Sequence, residues 1–310
     1  MPEAYTPEWP PIWFNGQLIS SQKASVSVYD SSLMWGDMVF EMLRTFGQRP
    51  FKLKEHLQRL LASAQMAQID VPYSLIDLEK AHDALLEAHR PLMAPDDEFR
   101  TLINVSRGTL PIYERLVPRG TWVMMAAFPL RWVLEGTSWW YDSGVNSFIP
   151  VQRAIPASLM DPKLKHRSRL YLKMAALEAP TPTDFPIMLD PDGFLAESTG
   201  SNVFLVKNRQ VYTPEPRNCL RGISRQYVMD LCARQSKPAI EKNLDVYDLA
   251  MADEVFLTCT PYSILPVTRY RGNPIGNGRP GPVTVGLIDH WKKNVGCDFV
   301  QQAKAWDAEC

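Results

Sequence analysis

Alternating apolar and polar positions open the chain. Ile12-Trp13-Phe14-Asn15-Gly16 and Ala24-Ser25-Val26-Ser27-Val28-Tyr29 carry the period of two expected of half-buried strands, with turn residues between them. Phe40 to Phe46, followed by Gln48 to Phe51, predicts a hairpin about Gly47. The period then lengthens. Within Lys54 to Gln68, the residues Leu57, Leu60, Leu61, Ala64 and Met66/Ala67 fall on one helical face. Leu75 to His89 predicts a second helix, with Ser74 placed to cap it. Arg100 to Ser106 and Thr121 to Phe128 return to strand. Strands and helices come in blocks, so residues 1–130 read as an α+β domain of antiparallel character.

Between 131 and 143 the pattern lapses, which predicts an interdomain loop. Its Trp139, Trp140 and Tyr141 read equally as residues covered by packing or a partner and as a hydrophobic loop folded on its own domain. Residues 144–310 then form a C-terminal α/β domain. Strands are expected at Gly144–Val151, Phe185–Leu189, Asn202–Val206, Gln210–Tyr212 and Glu254–Thr258. Helices are expected at Arg169–Glu178, at Ser224–Ala233 and from about residue 280 through Gln302. Two domains suit a chain too long for one small core.

Composition narrows the function. Lys and Arg total 33 against 34 Asp and Glu, so nothing marks a nucleic-acid or anionic-membrane partner. The five cysteines form no C-x-x-C and none pairs with a nearby His at zinc-finger spacing. Neither a disulfide framework nor a metal site is expected, and reduced thiols suit a cytoplasmic protein. The acidic, proline-rich start lacks the regions of a signal peptide. The longest apolar run, Trp122 to Leu130, falls far short of the roughly 20 residues that span a bilayer. No G-x-S-x-G or G-x-G-x-x-G points to a hydrolase or dehydrogenase.

Several stretches carry possible chemistry. Glu197 lies after the turn Asp190-Pro191-Asp192-Gly193 and before the strand at Asn202; it reads as an edge charge or as a partner for a protonated ring nitrogen. Leu220-Arg221-Gly222-Ile223-Ser224-Arg225 opens an amphipathic helix, and its free backbone N–H groups suit a phosphate. Thr258-Cys259-Thr260-Pro261 ends a buried strand. Arg59 sits between the apolar and polar faces of its helix.

Taken together these stretches resemble the class IV aminotransferases, the fold type IV enzymes of pyridoxal 5'-phosphate. Glu197, Asn202-Val203-Phe204, Val211-Tyr212-Thr213, Leu220, Gly222-Ile223 and Arg225 follow that family's signature position by position. Gly36-Asp37-Met38-Val39-Phe40-Glu41, the helix bearing Arg59 and the run Asp253 to Thr260 resemble its other conserved segments. The likeness covers roughly residues 12 to 290. It implies a fold of two α/β domains joined by a loop, a homodimer whose sites the other subunit partly lines, and ping-pong transfer of an amino group from an amino acid to a 2-oxo acid. The donor stays open among branched-chain L-amino acids, D-amino acids and (R)-amines.

The resemblance also distributes roles. Lys165, in Lys165-His166-Arg167-Ser168-Arg169-Leu170, matches the Schiff-base lysine, and Lys163 is its only nearby competitor. The neighbouring Lys163, His166 and Arg167 are expected to lower the Lys165 pKa. Glu197 is implied for the ring nitrogen, and Arg59, Gly222, Ile223, Ser224 and Thr260 for the phosphate. Trp35, Phe40 and Arg100 are the substrate-pocket candidates, Trp35 reading equally as core.

Two departures stand out. Leu170 occupies the place of the usual tyrosine near the cofactor's phenolic oxygen, with Tyr171 one later and turned about 100° on a helix. Ser106-Arg107-Gly108-Thr109-Leu110-Pro111 resembles the D-amino-acid enzymes, yet Ile112 and Glu114 replace their carboxylate trap. Lys165-His166-x-x-Arg169 also resembles aminodeoxychorismate lyase on the same fold, although Phe40-Glu41 follows the transaminase form. A non-catalytic protein that merely binds the cofactor is the third alternative.

Overall fold

The computed structural model describes residues 9–117 and 120–309. The chain divides into two compact units. Unit 1 comprises Met1–Val133 with Leu164–Ser168, and unit 2 comprises Leu134–Lys163 with Arg169–Cys310. The short segment around Lys165, expected within the C-terminal domain, thus packs with the N-terminal residues.

In unit 1 the strands are β1 (Pro11–Phe14), β2 (Gln17–Ser20), β3 (Met38–Phe46), β4 (Arg49–Pro50), β5 (Phe99–Ser106) and β6 (Trp122–Pro129). They form one antiparallel sheet in the order β2-β1-β6-β5-β3-β4. Helix α1 (Ser31–Trp35) precedes β3, and α2 (Leu53–Met66) and α3 (Leu75–His89) follow β4. Ser74 and Asp77 form a reciprocal capping box at the start of α3.

The strand period sorts side chains between the two faces of this sheet. Val39, Leu43, Ile103, Val105, Val123 and Met125 join Leu57, Leu60, Leu78 and Leu85 in the core beneath α2 and α3. Phe40, Met42, Leu102, Asn104 and Met124 take the other face. The strand expected over 24–29 does not form. The backbone turns there, Asp30 N donating to Ser27 O, and Asp30 then caps α1 through Ser32 N. Val26 and Val28 stay exposed, so their alternation has no core to face.

Two short helices, α4 (Arg131–Leu134) and α5 (Trp140–Ser143), occupy the stretch expected as a loop. Trp140 and Tyr141 are buried there, while Trp139 remains half exposed. Unit 2 then holds β7 (Val145–Phe148), α6 (Leu170–Leu177), β8 (Asp184–Leu189), β9 (Leu195–Ser198), β10 (Asn202–Lys207) and β11 (Gln210–Pro214). These are followed by α7 (Ile223–Arg234), β12 (Ile240–Lys242), α8 (Val246–Ala250), β13 (Glu254–Cys259), β14 (Ser263–Tyr270), β15 (Asn273–Pro274), α9 (Pro282–Val295) and α10 (Phe299–Ala308).

Its sheet runs β12-β11-β10-β13-β14-β7-β8-β9, and β9 pairs again with β10. Six of these strands therefore close on themselves, around Val203, Leu205, Val255, Leu257, Leu265 and Val267. Strand β14 carries Pro266, which hides it from a sequence reading. β7 pairs with β14 only from Val267 onward, so the proline precedes the part flanked on both sides. The helix expected through Gln302 is two helices, because Gly296 ends α9 in the left-handed region at φ 67° and Asp298 caps α10. No helix of the described residues is long and apolar enough to cross a membrane.

Candidate active site

Lys165 lies on the free edge of β3. Its carbonyl accepts from Phe40 N at 2.9 Å, Arg167 N donates to Met38 O at 2.8 Å, and His166 bridges Val39. Lys165 N also donates to Ser63 Oγ of α2 at 3.2 Å. The side chain is half-buried, with Nζ 4.7 Å from the centre of the Phe40 ring. The guanidinium carbon of Arg167 lies over the same ring at 3.8 Å. Asn104 Oδ1 accepts from Arg167 Nε at 3.1 Å and Nη2 at 2.9 Å.

Next to Phe40, Glu41 points to the opposite face, where α2 meets it. The Glu41 carboxylate is fully buried and accepts from Arg59 Nε at 2.6 Å, Arg59 Nη2 at 2.9 Å and His56 Nδ1 at 2.7 Å. Burial works to raise its pKa, but Arg59 and His56 hold it well below the usual carboxylate range. Burial lowers the His56 pKa against the pull of Glu41. His56, Arg59 and Ser63 are spaced three and four apart, so one stripe of α2 serves both Glu41 and the Lys165 segment.

The other pocket candidates of unit 1 lie differently. Phe40 is 1% exposed, whereas Trp35 is 72% exposed at the end of α1 and is not core. Arg100 pairs across β3 with Arg44, while Phe40 pairs with Asn104. Four strand residues, roughly 13 Å, separate those pairs. Arg100 instead leans on Met42 Sδ at 3.5 Å and Phe128. Lys163, the competitor lysine, is ion-paired with Asp161 at 2.7 Å.

In unit 2, Glu197 stands on β9 itself rather than in a turn. Its Oε2 accepts from Leu220 N at 2.9 Å. Glu197 pairs with Asn202 of β10, and Asn202 with Thr258 of β13, which sets the three abreast on one face. Asn202 Nδ2 donates to Leu220 O at 2.8 Å, so both ends of that residue's backbone are held. Gly222 follows, and a Cβ there would lie 2.1 Å from Asn202 Oδ1. Helix α7 begins at Ile223 and Ser224 with no side chain capping its first turn. Thr260 lies half-buried in the turn between β13 and β14.

The charge of Glu197 is felt nearby. Burial, then Glu197, pushes the Tyr171 hydroxyl up to about 12 against the influence of Arg169. Cys219 is raised to about 12 by burial and then by Glu197. Arg169 donates to Thr199 O at 2.8 Å. Leu170, at the family's tyrosine position, is 73% exposed. Tyr171, one residue and about 100° further along α6, is the phenol that feels the charge of Glu197.

Sequence reasoning gave no role to Asn202, a polar residue at the head of an apolar strand, or to Asn104, its counterpart on β5. Among the described residues no group of three or more His, Cys, Asp or Glu could hold a metal ion.

Known proteins resemble this chain over most of its length. A putative branched-chain-amino-acid aminotransferase of Methanocaldococcus jannaschii is 32% identical over 91% of this chain and 95% of its own. A D-alanine aminotransferase of Bacillus licheniformis is 30% identical, covering 88% and 93%. A branched-chain amino acid aminotransferase of T.th., solved with pyridoxamine 5'-phosphate, superposes with a TM-score of 0.83 at 27% identity, over 93% of this chain and 94% of that one. The model of the class IV amino-transferases matches residues 38–270, a span that includes Lys165, Glu197, Gly222 and Thr260, and the chain belongs to that family of transaminases.

Proposed function

We propose that the chain is a pyridoxal 5'-phosphate transaminase that passes an amino group from an amino acid to a 2-oxo acid in two ping-pong half-reactions, with Lys165 as its cofactor lysine. The carrying observation is the Lys165 segment itself. Its main chain is tied to β3 on both sides of His166, and the amine is delivered over Phe40. A lysine fixed in this way reaches one spot repeatedly, which proton transfer requires.

The residues present suit the cofactor. Thr258 Oγ1 is buried with no hydrogen-bond partner among the described residues, in the same row as Glu197. Gly222 keeps the backbone open where a Cβ would collide, and the uncapped first turn of α7 offers N–H donors and the positive end of a helix dipole. Pyridoxal 5'-phosphate, when bound, supplies the electron sink and carries the amino group between half-reactions.

The chain's own groups do the rest. Lys165 would act as the base that moves a proton between the substrate Cα and the aldehyde carbon of the cofactor. Glu197 would keep a proton on the ring nitrogen. The N–H groups of Ile223 and Ser224, the Thr260 hydroxyl and Arg59, oriented by Glu41, would hold the phosphate.

An amino acid with an apolar side chain suits the face that Phe40 shares with half-buried Met42, Leu102, Met124 and Ala126. We also propose a cytoplasmic homodimer. The four described cysteines form no disulfide, and Val28, Leu33, Trp35, Ile112 and Leu116 leave unit 1 with large exposed apolar side chains for a second copy to cover.

A donor screen tests the reading. With cofactor bound, L-leucine, D-alanine and (R)-1-phenylethylamine are each expected to bleach the visible band to a different degree, L-leucine most, and a 2-oxo acid is expected to restore it. A band that none of them bleaches would overturn the proposal. Pyruvate release from aminodeoxychorismate without an acceptor would replace it with the lyase.

A further inference from the structure

From the geometry around Phe40 we infer that Arg167 is a specificity-determining residue that binds a carboxylate of the substrate. The inference rests on the transaminase reading and adds the group that recognises the acid. In the bridge to β3, His166 stands opposite Val39, which puts Lys165 opposite Phe40 and Arg167 opposite Met38. Side chains two apart on an extended segment leave it on the same side. Lys165 and Arg167 therefore share one side, and both reach the Phe40 ring, at 4.7 Å and 3.8 Å.

The guanidinium is fixed as well as near. Asn104, opposite Phe40 in the β3–β5 register, accepts from Nε and Nη2 and sets the plane, while the aromatic ring supports its face. These contacts from a neutral amide orient the guanidinium. A cation set beside the reacting amine suits an anion that arrives with the substrate, and a guanidinium matches the fork of a carboxylate. Arg100, roughly four strand residues away, cannot take this place without leaving Met42 and Phe128.

A mere cross-link between β5 and the Lys165 segment would make Arg167 matter to stability alone. Carboxylate affinity separates the two roles. Pentanoate and glutarate, which cannot react, are titrated into the cofactor-loaded chain and into R167M, and binding is followed by the visible band and by calorimetry. Loss of roughly 10- to 100-fold in affinity for both acids is expected if Arg167 holds the carboxylate that every amino acid bears. A loss confined to glutarate would assign it to a side-chain carboxylate of the acceptor. Unchanged affinity for both, in a variant that keeps its band, overturns the inference.

Should R167M fail to fold, R167K decides. It keeps the charge without the fork and is expected to lose affinity by a few-fold, and wild-type affinity there would overturn the inference too. A wild-type chain that shows no visible band at all would instead sink the transaminase reading, and the two failures are thereby told apart.

Discussion

The two units carry their buried acids in opposite ways. In unit 1, Glu41 is surrounded by charge, with a guanidinium on two nitrogens and an imidazole on a third contact. In unit 2, Glu197 accepts from the Leu220 backbone and sits abreast of Asn202, and burial, then its charge, raises a phenol and a thiol beside it. The first arrangement is a clamp. Removing one partner leaves a buried charge in a low dielectric, so the clamp is expected to weigh on stability. The second accepts from a backbone N–H, with the Arg169 guanidinium acting on it from nearby, and its charge bears on the groups around it.

The largest effect is expected at the lysine that unit 1 contributes. Lys165→Ala should lower turnover by roughly 10⁴-fold and remove the visible cofactor band, while Lys163→Ala, already ion-paired to Asp161, should stay within a few-fold. A band that survives the first substitution and vanishes with the second would reverse the assignment.

The contrast between the acids is tested by Glu41→Ala against Glu197→Gln. Loss of Glu41 should cost about 3–5 kcal/mol in urea unfolding, since Arg59 and His56 then lose their common partner. Glutamine at 197 still offers Leu220 N an oxygen, so stability should change by less than about 1 kcal/mol while turnover falls roughly 100-fold. Equal stability losses would erase the distinction.

Acid should strike unit 1. His82 is fully buried, bonds Thr101 through Nε2, leaves Nδ1 without a partner, and has its pKa lowered to about 4 by burial. The unfolded chain then binds more protons between pH 6.5 and about 4, so this contribution is complete above 6.5 and disappears as pH falls through that window. It amounts to about 3 kcal/mol at most. Asp97, pushed up to about 6 by burial, acts in the opposite sense over part of the window. The His82 share is therefore read as the difference between wild type and His82→Gln across pH 4 to 7.5. Parallel curves would show that His82 does not carry it.

The smallest effect is expected from Gly222→Ala. The added methyl would meet Asn202 Oδ1 and move it from its place beside Glu197, weakening cofactor binding by roughly 10-fold with little change in unfolding. A cofactor titration at fixed ionic strength measures it, and wild-type affinity would show that the α7 start tolerates a side chain.

Local rules were legible in the sequence where local forces decide. The periods of α2, α3, β5 and β10, the Ser74 cap and the spaced run from Glu197 to Arg225 all belong to neighbours along the chain, and so does the identity of Lys165 as the candidate lysine. Where the alternation at Val26 and Val28 met no core, the same rule misled, because a strand needs a partner and a buried face as well as a period. The offset of Tyr171 from Leu170 was legible for a local reason, since both stand in the first turn of α6.

Tertiary structure alone decided which groups meet. Residues 164–168 lie far from β3 in sequence yet complete its edge, because the backbone N–H of Phe40 and carbonyl of Met38 need partners there. That pairing sets Lys165 and Arg167 on the Phe40 side. The partner of Arg59 is likewise set by the register of β3 against α2, and the row of Glu197, Asn202 and Thr258 by the closure of β9 onto β10. A sequence determines its periods, caps and signature residues through neighbours a few positions apart, whereas the placement of charges depends on pairings between distant segments that only the folded chain brings into register.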